Sequence, residues 1–122
     1  LIMEAAAQPG TMEERVRAVV SAYCTAADED WLLFSFHLVS LDRFLKHDTK
    51  RDDDPVSLVE AVIGGLMESG DLPKGDPPII AAMCLGVVMQ SAQNKVYHRW
   101  TGAFSAHVDV FTRAIMAILL QK

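Results

Sequence analysis

The sequence predicts an all-α fold. Apolar residues recur at three- and four-residue steps in five segments, and no segment shows the period-two alternation of a strand. The segments are separated by helix start and stop signals: Thr11 with Glu14, Asp54-Pro55, Gly70, Asp76-Pro77 and Thr101-Gly102. At 122 residues, 51% hydrophobic and 22% charged, the chain suits one globular domain with a sizeable core.

The first helix is predicted to start at Thr11, three residues before Glu14, the spacing at which a hydroxyl and a carboxylate satisfy two free backbone donors. Val16, Val19, Val20, Tyr23 and Cys24 then form its inward stripe, with Glu13, Arg15 and Arg17 toward water. The second, "DEDWLLFSFHLVSLDRFLKH", has Asp30 as its N-cap and is apolar almost all round, which predicts a central position. Asp54-Pro55 opens a third helix that runs to Ser69, with Gly70 as a left-handed C-terminal cap. Asp76 and Pro77 begin the fourth and longest, to about Trp100. After a break at Thr101-Gly102, Ser105 caps a fifth helix whose stripe is Val108, Phe111, Ile115 and Ile118.

The fourth helix carries Gly86 in its interior, where glycine costs roughly 1 kcal/mol relative to alanine. The expected compensation is close approach by another helix. Ala82, Gly86, Met89, Gln93, Tyr97 and Trp100 share one face, small at the start and large at the end. One monomer has too few elements to cover this face, the fifth-helix stripe and the central second helix together. The surplus predicts a homodimer in which the last two helices of each copy form an intermolecular four-helix bundle. Uncharged amides such as Gln93 and Asn94 suit that seam. The plainer reading is a core glycine in a helix packed only within its own chain.

Composition excludes several classes. Net charge is −5 and no basic stripe exists to neutralise a phosphate backbone, so these residues are not expected to hold nucleic acid. Cys24 and Cys84, sixty positions apart, match neither a disulfide scaffold nor a zinc site and predict a reducing, cytoplasmic setting. The longest apolar run, Ile79 to Met89, is too short to span a bilayer, and no signal-peptide pattern is present, so no membrane association is expected. None of His37, His47, His98 and His107 follows Glu at di-metal spacing, and no metal-protease, phosphate-loop or nucleophile-elbow motif occurs. No enzyme activity, metal or cofactor is predicted. Asp52-Asp53-Asp54 with Lys46, Lys50 and Arg51 reads as a solvated loop. Lys95, His98 and Arg99 suit the negative end of the fourth helix.

The order "ESGDL", "GDPPIIAAMCLGVVMQSA", a glycine break and a last apolar helix resembles the C-terminal domain of tetracycline-repressor (TetR) type transcriptional regulators. In that family an acidic residue, a glycine and an apolar residue close one helix, here Glu68, Gly70 and Leu72. Asp76-Pro77 then precede a long helix with an internal glycine and a nearby glutamine, here Gly86 and Gln90. The similarity runs from about Thr11 to Leu120. It implies an all-helical ligand-sensing domain, dimeric through its last two helices, that controls an N-terminal helix-turn-helix DNA reader. That reader is absent from this sequence, so DNA contact is expected only through it. Residues 1–10 are expected to be a stub of the connecting helix, and residues 11–122 the effector-binding and dimerisation domain.

Pockets in helical proteins are mainly apolar with a few orienting polar groups. The candidates are Tyr23 from the first helix, Trp31, Phe34, His37, Leu38, Leu41 and Phe44 from the second, Ile63 and Met67 from the third, and Met83, Val87 and Gln90 from the fourth. Six methionines suit an adaptable cavity for a small hydrophobic or amphipathic effector, although the same side chains fill a plain core equally well. His37, flanked by Phe36 and Leu38, offers a hydrogen bond that varies with pH, or is a satisfied core histidine. Gly64-Gly65 marks close packing or a deformable wall. The expected function is effector sensing and dimerisation for a DNA-binding regulator. The alternatives are a dimerisation module without a ligand, and a helical haem-type carrier or enzyme built on His37.

Overall fold

The structure, a computed structural model, describes residues 10–36 and 55–121, all helix or connection with no strand among them. Helix α1 spans Met12–Glu29, α2 Pro55–Ser69, α3 Pro77–Val96 and α4 Val108–Leu120, with a 3-10 helix at Phe104–His107 leading into α4. Residues 31–36 are also helical and begin the predicted second helix. Most of that segment, His37, Leu38, Leu41 and Phe44 included, lies outside the described residues, as do residues 1–9.

Local chemistry explains the boundaries. Glu14 N–H donates to Thr11 Oγ1 and Thr11 N–H to Glu14 Oε1, each at 3.1 Å, which completes the predicted box at the start of α1. Asp30 Oδ1 accepts Leu33 N–H at 3.1 Å, capping residues 31–36. Gly70 ends α2 at φ 87°, and the N–H groups of Gly70 and Asp71 donate to the carbonyls of Met67 and Leu66. Pro77 begins α3, although the Asp76 side chain caps nothing.

The predicted end of the fourth helix is corrected: α3 stops at Val96, because His98 turns to φ 59°. Its N–H and that of Arg99 donate to the carbonyls of Lys95 and Asn94, the same closing motif that Gly70 makes. Ser105 is likewise not the cap of the last helix, since it lies inside the 3-10 turn.

The four helices pack in the spatial order α1, α4, α3, α2. The core is Val20, Cys24 and Ala27 of α1, Ile63 and Met67 of α2, Leu72, the arc Ala81, Cys84, Val88 and Ala92 of α3, Phe104, and Phe111, Ile115 and Leu119 of α4. The parts of that core from α1 and α3 are mostly small, Cys24 and Ala27 on one and Ala81, Cys84 and Ala92 on the other. Among the described elements α4 therefore takes the middle place that the sequence had suggested for the second helix. Leu32, Leu33 and Phe36 are 82%, 51% and 65% exposed, so the start of that helix lies at the surface. No helix among the described residues is long and apolar enough to cross a membrane.

Candidate functional site

Aromatic rings gather where α1 ends, residues 31–36 begin and the connection from α3 to α4 turns. Phe104, the first residue of the 3-10 helix, is fully buried at the centre of the group. Around it stand Phe111 at 5.5 Å between ring centroids, Trp100 at 5.4 Å, Tyr23 at 6.2 Å and Trp31 at 6.4 Å. Trp31 stacks on Phe34 at 5.7 Å, Phe34 meets Tyr23 edge-on at 5.1 Å, and His107 meets Trp100 edge-on at 5.0 Å. Edge and offset contacts of this kind match the positive rim of one ring to the negative face of another.

Polar groups fix this assembly. Trp100 Nε1 donates to the Ser91 carbonyl at 2.9 Å, which folds the chain back along α3. The Asp28 carboxylate accepts Phe104 N–H at 2.7 Å and Ser105 N–H at 3.0 Å. It supplies the cap that the 3-10 helix lacks locally. Burial pushes the Asp28 carboxyl up, but the hydrogen bonds from Ser105 and Phe104 and the charge of Lys95 outweigh it and hold it below the usual carboxylate value. Lys95 places its ammonium 4.7 Å from the Trp31 ring centre and 5.3 Å from that of Trp100, and donates to the Gly102 carbonyl at 2.5 Å. Burial raises the Tyr23 hydroxyl, with the adjacent Cys24 adding to it, and pushes the Cys24 and Cys84 thiols up to about 11. Both thiols are buried and free. Among the described residues no three His, Cys, Asp or Glu side chains converge as a metal site.

Of the predicted pocket residues, Tyr23, Trp31 and Phe34 do meet. Met67 is buried in α2, with its methyl next to Gly75. Val87 is partly buried against the core. Met83 and Gln90 lie away from these rings: both are exposed, because the inward arc of α3 runs through Ala81, Cys84 and Val88 and leaves them on the outer side. Gln90 there donates to Asn94 Oδ1 at 3.1 Å. His37 and Leu41 fall outside the described residues.

The predicted seam divides in the same way. Ala82 and Gly86 are exposed on α3, Tyr97 is exposed just beyond its end, and Gln93 is half-exposed. Phe111 and Ile115 are buried within the chain, where α4 lies between α1 and α3. Val108 and Ile118 are partly buried against the same core, and Trp100 turns inward to the aromatic group. The outer side of α4 is instead Asp109, Val110, Arg113, Ala117 and Leu120, with Asp109 paired to Arg17 of α1.

The outer arc of α3, Ile79, Ala82, Met83, Gly86 and Gln90, with Tyr97 just beyond its end, carries no charge over its whole length. The one charged residue of α3, Lys95, points the other way, into the aromatic group. A methyl group added at Gly86 would meet nothing within 4 Å. Asp28, Lys95, Phe104 and His107 were not singled out for this site from the sequence. Only Lys95 offers a signal there, as the lone charge in a twenty-residue helix. Searches of protein-family models, curated proteins and solved structures match nothing to this chain.

Proposed function

We propose that the chain is the effector-sensing and dimerisation domain of a TetR-type transcriptional regulator. The observation that carries this reading is the uncharged outer arc of α3 with Gly86 open at its middle. An outward helix face is ordinarily charged, and an apolar one is a place for a partner. A two-fold partner lays the same arc against itself, with Gly86 at the closest approach and Gln90 and Gln93 pairing across the seam. Val110, Ala117 and Leu120 extend the seam onto α4, in place of the residues that the monomer already covers. An apolar or amphipathic effector is read by the aromatic group at the end of α1, Tyr23, Trp31 and Phe34. That group adjoins α1, the element through which a sensor of this order would pass a shift to a DNA reader. Such a ligand acts only by preferring one arrangement of the helices over another.

Sedimentation and light scattering test the pairing. The parent is expected to run as a dimer, and Gly86→Leu and Met83→Glu as monomers with parent-like circular dichroism. A parent that stays monomeric at every loading concentration overturns it. A thermal-shift screen with apolar compounds tests the sensing, since a bound ligand raises the melting temperature by mass action. A melting temperature unmoved by every compound favours a dimerisation module without a ligand.

A further inference from the structure

We propose that Trp31 and Trp100 form a binding site for a small organic cation, a place that the Lys95 ammonium holds in the free protein. This deepens the reading above by naming the chemical class of the effector, and it rests on that reading only for the word effector. Three observations carry it. Two indole faces converge on one ammonium, at 4.7 and 5.3 Å, which is the arrangement aromatic rings offer to a cation. The Asp28 carboxylate, held on the Phe104 and Ser105 N–H groups beside the Trp100 and Phe104 rings, feels the Lys95 charge and so adds an acidic group to the aromatic ones. Trp31, Lys95 and Trp100 are each only half-buried, so the site lies at the surface and not in the core.

The chemistry favours an alkylated ammonium over the lysine that is there. A primary ammonium has three N–H groups to satisfy, and the Gly102 carbonyl is the acceptor that the described residues provide. A quaternary ammonium has no N–H group, is weakly hydrated, and offers apolar methyls to both rings. Its entry releases Lys95 from Gly102 and leaves the guest between residue 31, which follows α1, and residue 100, which follows α3. Occupancy of the site is thereby coupled to the distance between those two elements.

The chain has two tryptophans, and both are in this site, so their emission reports it directly. The experiment titrates the parent and Lys95→Met with tetramethylammonium chloride, with sodium chloride at equal ionic strength as reference. Lys95→Met is expected to bind about tenfold more tightly than the parent, because its site need not first be vacated. Adding Trp31→Ala to Lys95→Met is expected to abolish the response. Should Lys95→Met fail to fold, the parent decides: its emission is expected to follow tetramethylammonium beyond the sodium curve, and Trp100→Phe to diminish that difference. Superimposable curves in the two salts, in a folded Lys95→Met or failing that in the parent, overturn the site. The two proposals fail separately, since a monomeric parent removes the seam without touching these titrations, and superimposable titrations leave a dimer intact.

Discussion

Asp28 caps Phe104 across 76 positions of sequence, its Oδ1 accepting the Phe104 N–H at 2.7 Å while Oδ2 takes that of Ser105 at 3.0 Å. One carboxylate at the end of α1 thereby fixes the turn that leads into α4. Replacing it by Asp28→Asn keeps one acceptor and removes the charge and the second acceptor, so the expected cost at neutral pH is about 1 kcal/mol, discounted for an exposed carboxylate. The pH dependence has a definite sign. The folded carboxyl is held below its ordinary 3.8, so its contribution is complete above that value and is lost as pH falls through the lower, folded one. Urea denaturation of parent and variant is expected to show a gap at pH 7 that closes in acid. A gap that persists at the acid end would mean that the charge is not what matters at this position.

The contrast between this cap and that of α1 explains which parts of the fold were legible. Thr11 with Glu14, Gly70 and Pro77 act within three or four residues of the boundaries they set, and each boundary was read correctly from its own residues. Ser105 looked like a local cap, but the acceptor comes from α1, and no local pattern records a contact of that span. The stripe of α4 was legible as apolar but not its partner: periodicity gives a face, and whether α1 and α3 or a second copy covers it is decided by the packing order. In the sequence Lys95 is a charge near a helix end; in the fold its stem carries the ammonium inward over two indoles.

His98 and Gly70 occupy equivalent positions in two closing motifs, at φ 59° and 87°. A side chain in this left-handed region costs roughly 1 kcal/mol that glycine avoids. His98→Gly is therefore expected to stabilise the protein by about 0.5–1 kcal/mol, and Gly70→Ala to destabilise it by about 1 kcal/mol. Space does not interfere at Gly70, where an added methyl meets nothing within 4 Å. Calorimetric melting temperatures that move in the same direction for both variants would contradict this account.

Thr112 is fully buried on α4, and among the described residues its hydroxyl has no hydrogen-bond partner. A desolvated, unpaired hydroxyl costs about 1–3 kcal/mol, and valine keeps the same shape without it. Thr112→Val is expected to raise stability by about 1 kcal/mol and the melting temperature by about 3–5 °C. A lower melting temperature would show that the hydroxyl is paired in solution.

Gly65 and Gly86 make a controlled pair. Both are exposed in helix interiors, and neither has an atom within 4 Å of an added methyl group. Within a single chain, alanine at either position is expected to stabilise by about 0.5–1 kcal/mol through helix propensity alone. A seam at Gly86 makes them differ: there the added methyl meets the partner helix, whereas at Gly65 it meets only water. Gly65→Ala should then melt above the parent at every protein concentration. Gly86→Ala should melt above it only when dilute, and lose that advantage as concentration rises and the parent gains stability from pairing. Parallel gains for the two variants across the whole concentration range would leave the outer arc of α3 without a partner.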